Sequence, residues 1–463
     1  MKKIFVLFAL CCLPLAAKED AKLVYVGWGS PKLHELAENV EWYEQEAPFD
    51  GLNIQMGLNP VVPREMKYGQ FKDKVRTYKK IKFKRFKYNF FHTLIDQFDP
   101  RWLDDDAWEI IAANWGVAAK VAKEAGAVGL CFDPECYGVY PVNSYWTSKY
   151  YAKGNKVVAS QYLRAARKRG QQMGAAMFKE FPNIRFWAFY LYSMNGDLLA
   201  ELVNGMLDVI PPTAMIIDGD EWRGYCAQFP GRYEKMLEAV QNGYGMADKK
   251  HKKKMKKQVL LAPAFYLDAY IRPEASGCLL PTVKRRDPLA LFEDNLKEAR
   301  KVGGEFVWIY GEQGTWWDKT RDPKSDEARA ARKAAKRKKR DRDDDKSKGK
   351  EPPKHWDEQM PGLHKLLFKD ALREMAKEKK VPYHLHLKVR QEEEAERKRL
   401  AMEAKKEAER KAREEAGPPL PEVKLTGTDA DWAMPADVVK ATKSREQERE
   451  KLEKENRNEM DGE

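Results

Sequence analysis

From Lys22 to Glu312 the chain alternates short apolar runs with longer stretches of mixed character. Eight runs recur: "KLVYVGWGS" (22–30), "GLNIQMG" (51–57), "KYNFFHTLI" (87–95), "AVGLCFDPE" (127–135), "IRFWAFYLYS" (184–193), "AMIIDGDEW" (214–222), "VLLAPAFYLD" (259–268) and "GEFVWIYGE" (304–312). Most keep apolar residues in succession, which is how a strand covered on both faces reads. Between them, helical periodicity predicts helices at 32–46, 104–125, 159–181, 197–209, 231–246 and 288–302. The second of these opens on Asp104, Asp105 and Asp106 and closes on Gly126, the start and stop chemistry of a helix. The connection after the second run carries no helical pattern.

Strands of this kind, alternating with helices, form a parallel sheet. Eight units over roughly 300 residues match a (β/α)8 TIM barrel better than an open doubly wound sheet. An open dinucleotide-binding sheet would carry a Gly-rich phosphate loop after its first strand, and "YVGWGSP" lacks that spacing. The expected fold is α/β, a (β/α)8 barrel over residues 18–385.

The flanks add to this. "MKKIFVLFALCCLPLAAKED" sets two lysines before an apolar stretch from Ile4 to Leu15 and the small residues Ala16 and Ala17. That is the three-part form of a signal peptide, here residues 1–17, and it predicts an exported protein, periplasmic or extracellular. It is too short for a permanent membrane helix, so stable membrane insertion is not expected. A charged low-complexity insertion is expected at about 320–358. Residues 361–380, "PGLHKLLFKDALREMAKEKK", predict an amphipathic helix that closes the barrel. Residues 386–463 read as a charged, mostly helical extension, with a long exposed helix at 390–416 that "GPPLP" ends.

The net charge of +13 invites a nucleic-acid reading, but its distribution argues against one. Basic residues concentrate in "HKKKMKKQ" (251–258) and "RAARKAAKRKKRDRDDDKSKGK" (329–350), outside the periodic segments, and read as solvated loops. In an exported protein such segments would meet an anionic glycan or an envelope surface. Of six cysteines, Cys11 and Cys12 fall in the N-terminal stretch. No cysteine spacing resembles a zinc site, and no metal or organic cofactor is implied. Cys131 reads as a small buried hydrophobe. Cys226 and Cys278 follow neighbouring strands and are expected within bridging reach.

Barrel chemistry sits where strands end. The fourth run ends on Asp133-Pro134-Glu135, and strand alternation puts both acids on the inward face. One can hold a partner while the other, its pKa raised, donates a proton. The sixth run ends on Asp218, Asp220, Glu221 and Trp222, the seventh on Asp268 and Tyr270, and the eighth on Tyr310 and Glu312 with Trp316 and Trp317 beyond. Trp28, His92 and Tyr192 come from the first, third and fifth. Acids ringed by aromatics suit a sugar site: rings stack on pyranose faces while carboxylates flank the scissile bond.

Two stretches resemble a known family. "GLCFDPE" (129–135) is similar to the strand-four signature DGxDxDxE of the family-18 chitinases, with Gly129, Asp133 and Glu135 in step. "GGEFVWIYGE" (303–312) looks like that family's last strand, where Trp308 would floor the subsite. The resemblance implies Glu135 as general acid and Asp133 as the residue that orients a 2-acetamido group. The expected function is an exported glycoside hydrolase of a poly- or oligosaccharide, with Glu135 as donor. Its partner carboxylate is Asp133, Asp218, Asp220 or Glu312. Val128 and Cys131 stand where the family has further aspartates, which motivates an alternative: a non-catalytic barrel that binds a glycan or cell surface. A third reading makes the charged extension a partner or envelope contact.

Overall fold

The computed structural model describes residues 21–27, 29–93, 100–135, 144–154, 156–194, 196–226, 231–272, 287–317 and 355–368. Their strands are β1 (Lys22–Tyr25), β2 (Gly51–Leu58), β3 (Phe90–Thr93), β4 (Gly129–Phe132), β5 (Arg185–Ala188), β6 (Met215–Asp218), β7 (Val259–Leu261), β8 (Ala264–Tyr266) and β9 (Phe306–Tyr310). They form one sheet in the order β7-β6-β5-β4-β3-β2-β1-β9-β8, and the registered pairs are all parallel. The fold is an α/β, TIM-like barrel.

Nine strands come from eight apolar runs because the seventh run breaks in the middle. Pro263 has no N–H to give a ladder and so sits where pairing lapses. Before the break, β7 pairs with β6. After it, β8 lies beside β9, and Trp308 N–H donates to the Pro263 carbonyl at 3.1 Å. One chain segment thus reaches both ends of the sheet, which is how the sheet closes.

Between the strands, in chain order, come the helices α1 (Leu33–Glu46), α2 (Lys72–Lys80), α3 (Asp105–Ala125), α4 (Ser148–Ala152), α5 (Ala159–Glu180), α6 (Asp197–Val209), α7 (Glu221–Tyr225), α8 (Arg232–Gln241), α9 (Lys252–Gln258), α10 (Leu267–Ile271) and α11 (Pro288–Val302). The stop and start chemistry of α3 is as its sequence predicts. Asp104 accepts from Ala107 N–H at 3.0 Å, and Gly126, at φ +86°, ends the helix with its N–H on the Ala122 and Lys123 carbonyls.

Two helices correct the sequence reading. The connection after β2 holds α2, which buries only Val75 and Tyr78 in a nine-residue segment, too few positions to make a period visible. The basic run at 251–258 is α9 over most of its length, not a loop. Lysine is a good helix former, and Met255 and Gln258 anchor the helix inward. Gln258 donates to the Pro211 and Ala214 carbonyls at 2.7 and 3.0 Å, and Lys254 reaches the Leu207 carbonyl.

Inside the sheet the inward residues make an aromatic column. Phe90–Phe306, Phe90–Trp187, Trp187–Trp308 and Phe189–Trp308 have ring centroids 5.0–5.5 Å apart. Each buried ring contributes about 1.5–3 kcal/mol of transfer free energy. Beneath the column Arg185 forks onto Glu305 at 2.7 and 2.8 Å. Gly129 fits there because a Cβ would lie 1.8 Å from the Arg185 carbonyl oxygen.

Outside the sheet, Asp208 on α6 gathers Arg167, Gln171, Lys250 and His251 within 2.8–3.1 Å. Burial alone would raise its pKa, but bonds from Arg167, Lys250 and Gln171 outweigh it and hold the carboxyl well below the usual range. Asp208→Ala is expected to cost about 2 kcal/mol, less than the about 3–5 of a fully buried pair. A depressed folded pKa stabilises above the unfolded value near 3.9 and is lost as pH falls. Melting curves of wild type and variant should therefore converge in acid.

The chain divides into two units: residues to Val40, Phe49–Phe265 and Asp294–Tyr310 form the first, and Glu41–Pro48, Tyr266–Glu293 and the chain from Gly311 form the second. In the second unit Trp317 Nε1 donates to the Tyr43 carbonyl at 2.9 Å, and Thr315 bridges His355 in parallel. Residues 363–368 are helical. The signal-like N-terminus, Trp28, Cys278 and thus the Cys226–Cys278 pairing, most of the charged insertion, and the 386–463 extension lie outside the described residues. Among the described residues no helix is long and apolar enough to cross a membrane.

Candidate active site

The site is built at the C-terminal ends of β4, β5, β6 and β9, all in the first unit. β4 ends at Phe132, and Asp133 turns the chain at once. Its N–H donates to the Thr93 carbonyl at 3.3 Å, and its Oδ1 accepts the Glu135 N–H at 2.9 Å. That is the local bond by which aspartate competes with strand continuation. Regular strand alternation therefore stops before Glu135. Asp133 and Glu135 are both half-buried.

The rim of β6 is organised by Asp218. This carboxylate is wholly buried and accepts from Leu191 N–H (3.2 Å), Ser193 N–H (3.4 Å), Ser193 Oγ (2.9 Å) and Asp220 N–H (3.0 Å). It ties the end of β5 to the end of β6. Asp220 then takes a left-handed φ of +40°, a conformation aspartate tolerates better than most residues. The Glu221 N–H lands on the Phe189 carbonyl at 3.1 Å, and α7 begins. Glu221 and Tyr225 are four apart on that helix, where side chains meet. The Tyr225 hydroxyl donates to the Glu221 carboxylate.

Glu221 and Asp133 are electrostatically coupled. Burial raises Asp133, with the Glu135 N–H working against it. Burial raises Glu221 too, and the charge of Asp133 raises it further. Two like carboxylates cannot both ionise freely, so the two steps of titration belong to the pair. Cys131 feels both: burial pushes its thiol well up, and the charges of Asp133 and Glu221 add to the push. Tyr225 is pushed well up by burial and then by Glu221, Tyr310 and Glu135 among others. Its ring stacks on Tyr310 at 5.9 Å and 11° and leans on Trp308 at 5.5 Å.

His92 sits on β3, in register with Cys131 on β4. Burial lowers its pKa to about 4, so it is neutral at physiological pH. Its Nδ1 pairs with Asn53 Nδ2 at 2.8 Å, which leaves the proton on Nε2.

Several residues expected to line a sugar site do other work. Trp308 is wholly buried, its Nε1 donating to the Ala262 carbonyl at 2.9 Å, so it supports the floor instead of presenting it. Tyr192 is wholly buried and donates to Asn204 Oδ1 at 2.9 Å. Trp222 and Tyr310 are half-buried. In the second unit Trp316 is wholly buried, Asp268 accepts from Glu312 and Gln313 N–H at 2.8 and 3.3 Å, and Glu312 is exposed. Tyr225 was missed by the sequence reading. Its signal was the four-residue step from Glu221, visible once a helix is known to start there.

Asp220 carries strain of a second kind. It is wholly buried, with Oδ2 accepting from Tyr244 at 2.6 Å and Oδ1 without a partner. Burial, then the charge of Asp218, pushes its pKa up to about 7. A raised folded pKa gives stability that is full below the unfolded value near 3.9 and lost as pH rises towards 7. Asp220→Asn keeps an acceptor for Tyr244 and cannot ionise. It should stabilise the fold at neutral pH by up to about 4 kcal/mol, read as a higher melting temperature there, and leave the melting temperature unchanged near pH 4. An equal shift at both pH values would contradict this account.

Among the described residues no group of three or more His, Cys, Asp or Glu is placed to hold a metal ion. The family-18 resemblance gains no support, since Asp133 is coupled to Glu221 while it holds only the main chain of Glu135. No family model and no curated protein matches the chain. Among solved structures it is similar to a GH5-4 broad specificity endoglucanase from an uncultured bacterium, with a TM-score of 0.37 and 13% identity, over 67% of this chain and 85% of that one.

Proposed function

We propose that this protein is a glycoside hydrolase acting on a poly- or oligosaccharide, with Glu221 as proton donor and Asp133 as its ionised partner. The observation that carries the proposal is the coupled pair at the barrel mouth. Glycosidic cleavage needs one carboxyl kept protonated near neutral pH beside another that stays charged. Glu221 suits the first role because burial and the neighbouring charge oppose its ionisation. Asp133 suits the second because the Glu135 N–H stabilises its anion. Glu135 becomes a third carboxylate of the cluster, close enough to be felt by Tyr225. Tyr310 and Trp222 offer aromatic surface, and His92 Nε2–H offers a neutral donor to a hydroxyl. Export through residues 1–17 belongs to the same proposal.

Reducing-end release and product chromatography on a panel of soluble α- and β-linked glycans test it. Wild type should cleave at least one, and Asp133→Asn should lower that turnover by about 10²-fold or more. Full activity in Asp133→Asn would sink the assignment. Glycan binding without cleavage at any pH would instead favour a non-catalytic barrel.

A further inference from the structure

Residues 101–104, after β3, and Tyr151 and Tyr162, after β4, build a second feature. Arg101, Trp102, Leu103, Asp104, Tyr151 and Tyr162 line a groove of about 350 Å³. Tyr151 packs against Tyr162 at 5.4 Å, and Tyr150 meets Tyr151 edge-on at 5.1 Å. Leu103 is 47% exposed, Tyr150 44% and Val158, one turn before Tyr162, 59%. Leu103 lines the groove itself, and Tyr150 adjoins it through Tyr151.

The polar groups of the groove point the same way. The Trp102 indole N–H is buried and has no partner. Its two ring neighbours are satisfied: Trp108 donates to the Pro100 carbonyl at 2.7 Å and Trp146 to the Pro134 carbonyl at 2.9 Å. Arg101 holds a left-handed φ of +37°, strained for a residue with a side chain and characteristic of ligand clamps. It faces Asp104 at a loose 3.9 Å, so a cation and an anion flank the aromatic wall.

We propose that this groove is a saccharide subsite, distinct from the acid pair, that holds the far end of the glycan whose cleavage is proposed above. Tyrosine faces stack on the apolar face of a pyranose, and Arg101 and Asp104 supply a donor and an acceptor to its hydroxyls. The groove is joined to the acids by rigid contacts. Trp102 packs on Trp146 at 5.9 Å, and Trp146 holds the carbonyl of Pro134, between Asp133 and Glu135.

Affinity electrophoresis of the full chain, through gels cast with soluble β-glucan, xylan, galactomannan or glycogen, tests it. Wild type should be retarded by at least one polymer, and Tyr151→Ala should weaken that retardation by about five- to tenfold. Arg101→Gly removes the charge while relaxing the strained φ, so it should weaken binding without unfolding the chain. In hydrolysis, either change should raise KM for the polymer relative to KM for an aryl glycoside too short to reach the groove. Retardation by no polymer, wild-type retardation in both variants, or equal loss on long and short substrates overturns the subsite. Retardation that Tyr151→Ala abolishes, in a protein that cleaves nothing, upholds the groove and removes the hydrolase reading instead.

Discussion

Glu221→Gln is expected to cut turnover by about 10²–10⁴-fold and to erase the alkaline limb of the pH–rate profile. The productive form has Glu221 protonated and Asp133 ionised, so the acid limb follows the lower step of the pair and the alkaline limb the upper one. Glutamine keeps the size of Glu221 and its contact with Tyr225 but has no proton to give. Asp133→Asn should act differently: it removes the charge that raises Glu221, so the alkaline limb of its residual activity should move to lower pH. Glu135→Gln should lower the rate and leave both limbs in place. The sequence alone favours Glu135 as donor, and the three profiles separate the two assignments. An alkaline limb erased by Glu135→Gln and kept in Glu221→Gln would return the role to Glu135.

The barrel was legible because burial on both faces writes strands as unbroken apolar runs, and those runs mark where side chains face the mouth. Pro263 stood in plain sight inside the seventh run, yet the switch of partners from β6 to β9 follows from closure, a property of the whole sheet. The helix α9 was hidden because seven residues with five lysines show charge and no period; only Met255 and Gln258 betray an inward face. At the site, the residue types were legible and their pairing was not. Asp133 and Glu135 are neighbours in sequence, but the turn made by Asp133 Oδ1 redirects the chain between them. Asp133 and Glu221 are strangers in sequence that meet across strand ends. Aromatic residues at strand ends suggested subsites, and the family-18 resemblance put Trp308 in a floor, but Tyr192 and Trp308 are wholly buried, as packing the interior of a barrel requires.

Asp218 separates a clamp from a catalyst, and its replacement is expected to unfold before it informs on chemistry. Four hydrogen bonds converge on its buried carboxylate from Leu191, Ser193 and Asp220. Asp218→Ala leaves those donors without an acceptor in a place water cannot easily fill. Each orphaned donor costs about 1–3 kcal/mol, and shared relaxation keeps the total nearer about 3–5. A loss of 3 kcal/mol corresponds to a fall in melting temperature of roughly 6–12 °C. Asp218→Asn is not a mild substitute: its amide group would turn a donor towards N–H groups that already donate. The loss should also reach the acids, because Asp220 N–H fixes the turn that starts α7 and so aims Glu221 at Asp133. Activity should therefore fall together with the melting temperature, and lowering the assay temperature should restore part of the rate. Loss of turnover at unchanged melting temperature would make Asp218 a reacting group, as its place at the end of β6 suggests from sequence alone.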